Sequence, residues 1–194
     1  MKRIGVYCGS SFGHSTRYLE AALDLADLLM VHGYGLVYGG AHVGLMGALA
    51  DRVLAQGGEV IGVIPRAMVD REIAHAGLTK LEVVETMHER KARMADLSDG
   101  FIALPGAFGT LDELFEVLTW AQLRIHDKPC GVLNIDGYYD RLLGFLDHCV
   151  TEGFLKAENR ALLLVEAHAA RLLERMTELR PVKQSLKWME ADIR

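Results

Sequence analysis

Short apolar runs that stop abruptly at glycine or proline alternate along this chain with longer segments of helical period. Ile4 to Cys8 ends in Gly9-Ser10-Ser11, and Leu36-Val37-Tyr38 ends in Gly39-Gly40. Val60 to Ile64 stops at Pro65, and Phe101 to Leu104 stops at Pro105-Gly106. Leu81 to Val84, Gly131 to Ile135 and Leu162 to Val165 complete the strand candidates. Between them, Ser15 or Thr16 opens a helix with apolar residues at Leu19, Ala22, Leu23, Ala26, Leu29 and Met30, a 3.6-residue spacing. Further helices are predicted over Val43 to Ala55, Met87 to Leu97, Leu111 to Ile125, Tyr139 to Val150 and His168 to Leu179, with a loop or short helix over 66–80. The apolar runs do not alternate with polar residues, as expected of strands covered on both faces. Right-handed crossovers then predict an α/β fold, a Rossmann-like doubly wound parallel sheet with helices on both faces. Ligands in such sheets bind beyond the carboxyl ends of the strands.

The 194 residues suffice for one domain over 1–180, with a tail over 181–194 that carries Trp188. The net charge of −5 argues against a nucleic-acid partner, since bulk phosphate binding needs a basic surface. Cys8, Cys130 and Cys149 form no CxxC pair, so no zinc site or disulfide framework is expected. An odd cysteine count, no signal-peptide pattern and no apolar run of about 20 residues point to a cytoplasmic protein without a membrane span.

Three loops suit an anion. Gly39-Gly40-Ala41-His42-Val43-Gly44 joins a strand to a helix, and glycines there either bring N–H groups to an anion or make a tight turn. No carboxylate follows the next strand to take a ribose hydroxyl, and GxxxxGK[ST] is absent, which disfavours NAD and P-loop chemistry. Pro105-Gly106-Ala107-Phe108-Gly109-Thr110-Leu111-Asp112-Glu113 also joins a strand to a helix. Thr110 fits a helix cap, and Thr110 with Glu113 matches a capping box; the spacing alone favours that structural role for Glu113. Asp112 and Glu116 crowd the same turns, so their aim matters. In Met87-His88-Glu89-Arg90-Lys91, Arg90 lies on the apolar side with Met87 and Met94. Taken alone, it reads as a side chain that snorkels to solvent. His88 and Lys91 read as a solvated face, and His75 and His88 as surface histidines.

These pieces in this order resemble the Lonely Guy family of cytokinin-activating nucleoside 5′-monophosphate phosphoribohydrolases. The signature PGGxGTxxE is represented by Pro105 to Glu113, and the arginine-lysine element by Arg90-Lys91. Cys8 to Ser11, Tyr38-Gly39-Gly40 with Gly44 to Gly47, Thr119 to Leu123 and His126 to Pro129 also match, so the resemblance runs from about Tyr7 to Phe154. It implies hydrolysis of an N6-substituted adenosine 5′-monophosphate to free base and ribose 5-phosphate, by a homodimer needing no metal or cofactor. It implies Arg90 and Glu113 as catalytic residues. It implies a nucleotide site lined by Glu72, Arg90, Lys91, Ala107, Phe108, Gly109, Thr110, Leu111, Asp112, Glu113 and Thr119. Gly9, Ser10, Gly39 and Gly40 are candidate phosphate or ribose loops.

Two glycines of the family pattern are replaced. Ala107 stands for the second glycine of PGGxGT, and Ala41 for a third consecutive glycine after Gly40. A left-handed backbone at 107 would be strained by the methyl group, whereas a negative φ would accept it. The alternative function is therefore a catalytically weakened nucleotide-binding protein on the same scaffold. A lysine decarboxylase, a label attached to this family, would need a pyridoxal phosphate Schiff-base lysine, for which Lys91 is the conceivable candidate.

Overall fold

The computed structural model describes residues 1–69 and 73–179. The expected tail over 181–194, with Trp188, lies outside them, and so does Glu72. The strands are β1 (Arg3–Tyr7), β2 (Gly35–Tyr38), β3 (Val60–Pro65), β4 (Lys80–Val84), β5 (Gly100–Ala103), β6 (Cys130–Leu133) and β7 (Leu163–Glu166). The helices are α1 (Thr16–Val31), α2 (Gly44–Ala55), α3 (Arg66–Val69), α4 (Met87–Leu97), α5 (Phe108–Gln122), α6 (Asp140–Thr151), α7 (Ala157–Arg160) and α8 (Ala169–Glu178). A short 3₁₀ turn, Ile135–Gly137, precedes α6.

The strands form one parallel sheet in the order β4-β3-β2-β1-β5-β6-β7. The chain winds outward from β1 to β4, then returns to the other side of β1 and winds outward again. The topological switch therefore lies between β1 and β5, which pair from Ile4↔Gly100 to Tyr7↔Ala103. Beyond the sheet the two chains stay joined: Leu104 N donates to Tyr7 O at 2.9 Å and Gly9 N to Pro105 O at 3.0 Å. The loops at this switch are thus brought together by the pairing of the central strand β1 with β5.

Every strand except the edge strand β4 feeds two cores, because its side chains alternate in direction. Ile4, Val6, Leu36, Tyr38 and Leu133 pack with α1, α2 and α8. Tyr7, Val37, Val63, Phe101 and Val132 pack with Met94 of α4 and with Leu114 and Val117 of α5. Burying such side chains contributes about 1.5–3 kcal/mol each. This places α4 and α5 side by side on one face, where a residue of one can meet a residue of the other.

Helix ends follow a common device. In α1, Tyr34 N bonds Leu29 O at 2.8 Å while Gly33 turns with φ +67°. The same return occurs after α2 at Gly57 and after α6 at Gly153. Glycine supplies the left-handed residue of this Schellman motif without steric cost. After α5 the motif is intact, with Ile125 N on Trp120 O at 2.8 Å, but the left-handed residue is Arg124, φ +60°. The sequence reading carries α5 to Ile125, whereas it closes at Gln122, because no glycine marks its end.

Candidate active site

Helix α4 begins at a true capping box. Thr86 Oγ1 accepts from Glu89 N at 3.1 Å, and the Glu89 carboxylate accepts from Thr86 N at 3.3 Å and Glu85 N at 2.8 Å. The Thr86-x-x-Glu89 spacing is legible in the sequence, although it escapes the reading above. The cap fixes where α4 starts, and hence the direction of Arg90 one turn later.

Arg90 does not snorkel. It is 8% exposed, and its guanidinium reaches inward across the carboxyl edge of the sheet. Nε donates to Val63 O of β3 at 3.0 Å, and Nη1 donates to Glu113 Oε1 of α5 at 2.6 Å. Nη2 lies over Gly39 so closely that any Cβ there would collide with it. Gly39 does not have positive φ, so it is glycine to make room for the arginine. The charged end is paid for by a carboxylate and a carbonyl.

Glu113 is likewise 8% exposed. The capping-box expectation is overturned: α5 starts at Phe108, with Ala107 as its cap residue and no side-chain cap bond. The chain bends at Pro105 and enters the helix at Phe108, so Thr110 already lies within the first turn and Glu113 within the second. Thr110 is buried against Gly106, where a Cβ would collide with its Oγ1. Burial pushes the Glu113 carboxyl above the usual glutamate value, and the Arg90 charge only partly offsets this. Tyr7 and Cys8 at the end of β1 feel the same burial and the nearby Glu113 charge, and both are held neutral well above their ordinary values.

Lys91 is not on a solvated face. Its Nζ lies 3.1 Å from Asp112 and 3.2 Å from Glu116, and its side chain is 11% exposed. Both acids of α5 are thus aimed at α4. Burial disfavours the Lys91 charge, but the hydrogen bonds from Asp112 and Glu116 outweigh it and hold the ammonium above the usual lysine value.

The loops divide by role. Gly9 spends its N–H on Pro105 O, and Ser10 is exposed. The backbone of Ser10 and Ser11 packs on Gly44, which turns with φ +57° and has no room for a Cβ. Gly40 turns with φ +76°, and its carbonyl accepts from His75 N at 2.9 Å. Ala41 bridges Ala74 without positive φ. Ala107 has φ −115°, so its methyl group fits the backbone there. Gly109 has negative φ too, and a Cβ on it would meet nothing within 4 Å. Tyr138 OH and Tyr139 OH, on the approach to α6, fasten the loop through Gly106 O and Leu104 O, each at 2.6 Å. Phe108 is 91% exposed. Leu111 is partly buried against the α4–α5 core, and Thr119 is exposed with its hydroxyl bonded to Phe115 O at 2.7 Å. Thr119 lies six residues from Glu113, about 9 Å along the helix. His75 is not a surface residue: its Nε2 meets Asp51 at 2.9 Å and its Nδ1 accepts from Gly77 N at 3.0 Å. His88 is exposed.

The structure therefore unites Arg90, Glu113, Gly39, Val63 and the first turn of α5 at the carboxyl edge of the sheet. Among the described residues, no group of three or more His, Cys, Asp or Glu side chains is arranged to hold a metal ion. No described helix is long and apolar enough to cross a membrane.

Residues 46–176 match the family model described as "possible lysine decarboxylase". The chain is 48% identical over 185 residues to cytokinin riboside 5′-monophosphate phosphoribohydrolase LOG5 of Arabidopsis thaliana, covering 95% of this chain and 81% of that one. It is 50% identical over 176 residues to the probable cytokinin riboside 5′-monophosphate phosphoribohydrolase LOGL1 of Oryza sativa subsp. japonica, covering 91% and 79%.

The chain belongs to the Lonely Guy family.

The fold recurs more widely than this family. The molybdenum cofactor binding protein of Rippkaea orientalis superposes with a TM-score of 0.69 at 21% identity, covering 91% of this chain and 96% of that one. TM1055 superposes with a TM-score of 0.70 at 19% identity, covering 92% and 100%. These likenesses concern the scaffold. The decarboxylase label on the family model meets a chemical obstacle in this Lonely Guy chain. A Schiff-base lysine must give up its proton, whereas Lys91 is clamped between two carboxylates that favour its charge. Lys91 does not fit that role.

Proposed function

We propose that this chain hydrolyses the N-glycosidic bond of N6-substituted adenosine 5′-monophosphates, giving the free base and ribose 5-phosphate. The observation that carries the reading is the buried Arg90–Glu113 pair beside the open first turn of α5. Cleaving this bond builds positive charge on the ribose, at C1′ and the ring oxygen. A carboxylate held in a dry site stabilises that charge strongly and can also activate the attacking water. Glu113 takes this part. Arg90 orients it through Nη1, and Nη2 is left as a donor toward substrate. The first N–H groups of α5 and the open space over Gly109 take the 5′-phosphate, as helix N-termini commonly do. Phe108, Ala107 and Thr110 border that space, and the family resemblance adds Glu72 and Thr119 as substrate-binding residues. Gly9 and Gly39 contribute by packing rather than by binding the anion.

In the same reading the chain is one nucleotide-binding domain over 1–180, a cytoplasmic homodimer with no nucleic-acid partner. The exposed apolar side chains on and beside α6, Phe145 and Phe154, support a second copy there. The weakened-binder alternative loses its physical motive, since φ at Ala107 suits alanine.

The test is base release from isopentenyladenosine 5′-monophosphate, AMP and the matching nucleosides, quantified by chromatography. Release from monophosphates but not nucleosides supports the reaction and the phosphate site. Folded protein that releases no base from any of them overturns it.

A further inference from the structure

Helices α4 and α5 meet in two adjacent rungs. The inner rung is Arg90–Glu113 at 2.6 Å. The outer rung sets Lys91, the next residue on α4, against Asp112 and Glu116 of α5 at 3.1 and 3.2 Å. The resemblance places Lys91 in the nucleotide site, yet the structure spends its ammonium on two side chains of the protein. Asp112 remains 58% exposed and Glu116 22%, so the lysine is the enclosed member of the cluster.

We infer that Lys91 is a positioning residue: by neutralising Asp112 and Glu116 it lets Glu113, a third carboxylate on the same two turns, ionise beside them. The charges around Glu113 make the need plain. From α4 come Arg90 and Lys91, and from α5 come Asp112 and Glu116. From β1 come Tyr7 and Cys8, both kept neutral by burial. Three acids thus face two cations. Removing Lys91 leaves one cation to three acids and strands Asp112 and Glu116 without a partner. Asp112 pushes the Glu113 carboxyl up and Lys91 pulls it down, which agrees with this geometry. The effect on rate rests on the proposed hydrolysis, whereas the effect on Glu113 titration does not.

The experiment titrates the intact protein carrying carboxyl-¹³C glutamate, with the Glu113 resonance assigned by its loss in Glu113→Gln. The pH profile of base release from isopentenyladenosine 5′-monophosphate is measured alongside. Lys91→Met is expected to raise the Glu113 midpoint by about 0.5–1 pH unit, the size expected for a charge lost one helical turn away. The acid limb of kcat should rise with it, and the lost rate should return at higher pH. Asp112→Asn should move both downward, and Lys91→Arg should hold both near wild type. A Glu113 midpoint unmoved by Lys91→Met and Asp112→Asn overturns the inference. So does a Lys91→Met loss that appears as a raised KM for monophosphates and does not recover at high pH, because that is the signature of direct phosphate contact. If Lys91→Met does not fold, the sign of the Asp112→Asn shift decides. If the wild type releases no base but the midpoints move as stated, the hydrolysis reading falls and the positioning role of Lys91 stands.

Discussion

Gly39→Ala is the most incisive perturbation that the site offers. The residue does not have positive φ, so alanine costs nothing in backbone strain. Its methyl group would occupy the place of Arg90 Nη2 and lie 3.3 Å from Met46 Sδ. The guanidinium must therefore move, and both of its bonds, to Val63 O at 3.0 Å and Glu113 at 2.6 Å, depend on where it now lies. Breaking a buried ion pair outright costs about 3–5 kcal/mol. A flexible arginine recovers part of this by tilting, so the expected loss of stability is about 2–3 kcal/mol. The rate should suffer more, since a misplacement of about 1 Å at a catalytic carboxylate costs on the order of 10²-fold. Urea unfolding and base release measure the two effects. The cycle with Arg90→Ala identifies the cause: once the arginine is absent the same methyl group should be almost harmless, a coupling of at least about 1.5 kcal/mol. Retention of activity within about twofold, or additive effects in the cycle, would refute the reasoning.

Other outcomes follow from the same geometry. Gly109→Ala should raise stability by about 0.5–1 kcal/mol by helix propensity and yet depress base release, because its methyl group projects into the space assigned to the phosphate; a stabilised protein of undiminished activity would remove the phosphate from that place. Ala107→Gly should change activity by less than about threefold, since φ is −115° and no strain awaits relief. The acid limb of kcat should lie above the ordinary glutamate value of about 4.3, and Glu113→Gln should abolish the activity that it governs. The same raised value has a stability sign. The native protein holds this proton more tightly than the unfolded chain, so the contribution of Glu113 is full below the ordinary glutamate range and is lost as pH rises through the folded value.

The strands and most helices were legible because their signals are local. Most strand stops fall at or beside a glycine, a proline or a charge, although β6 ends at Leu133 before Asn134, short of the expected Ile135, and α4 spans Met87–Leu97 as its periodicity predicts. The site was less legible because its partners are remote. Arg90 finds Glu113 23 residues away and Val63 27 residues away, and only sheet order makes the three neighbours. Without a visible partner, a buried arginine reads as a solvated one. Glu113 misleads for a different reason. Thr110 and Glu113 have capping-box spacing, but the helix starts at Phe108, two residues before Thr110, with Ala107 as a cap residue that makes no side-chain bond. Gly39 looked like an anion loop because a glycine that clears space for a protein cation has the same letter as one that clears space for a phosphate. For Arg90 and Glu113 the family resemblance supplied the pairing that local spacing withheld, whereas for Gly39 it did not.

The two ends of α5 differ in how they are fastened, and that difference has a consequence for motion. Its first two turns are held by Arg90 and Lys91, and Glu113 and Leu114 there are buried, whereas Leu123 and Ile125 at its far end are exposed. Opening fluctuations should therefore begin at the Leu123 end and die out toward Glu113. Amide hydrogen exchange along the helix would then form a gradient, fastest near Leu123 and slowest near Leu114. Such a helix keeps its Glu113 end still while its far end yields.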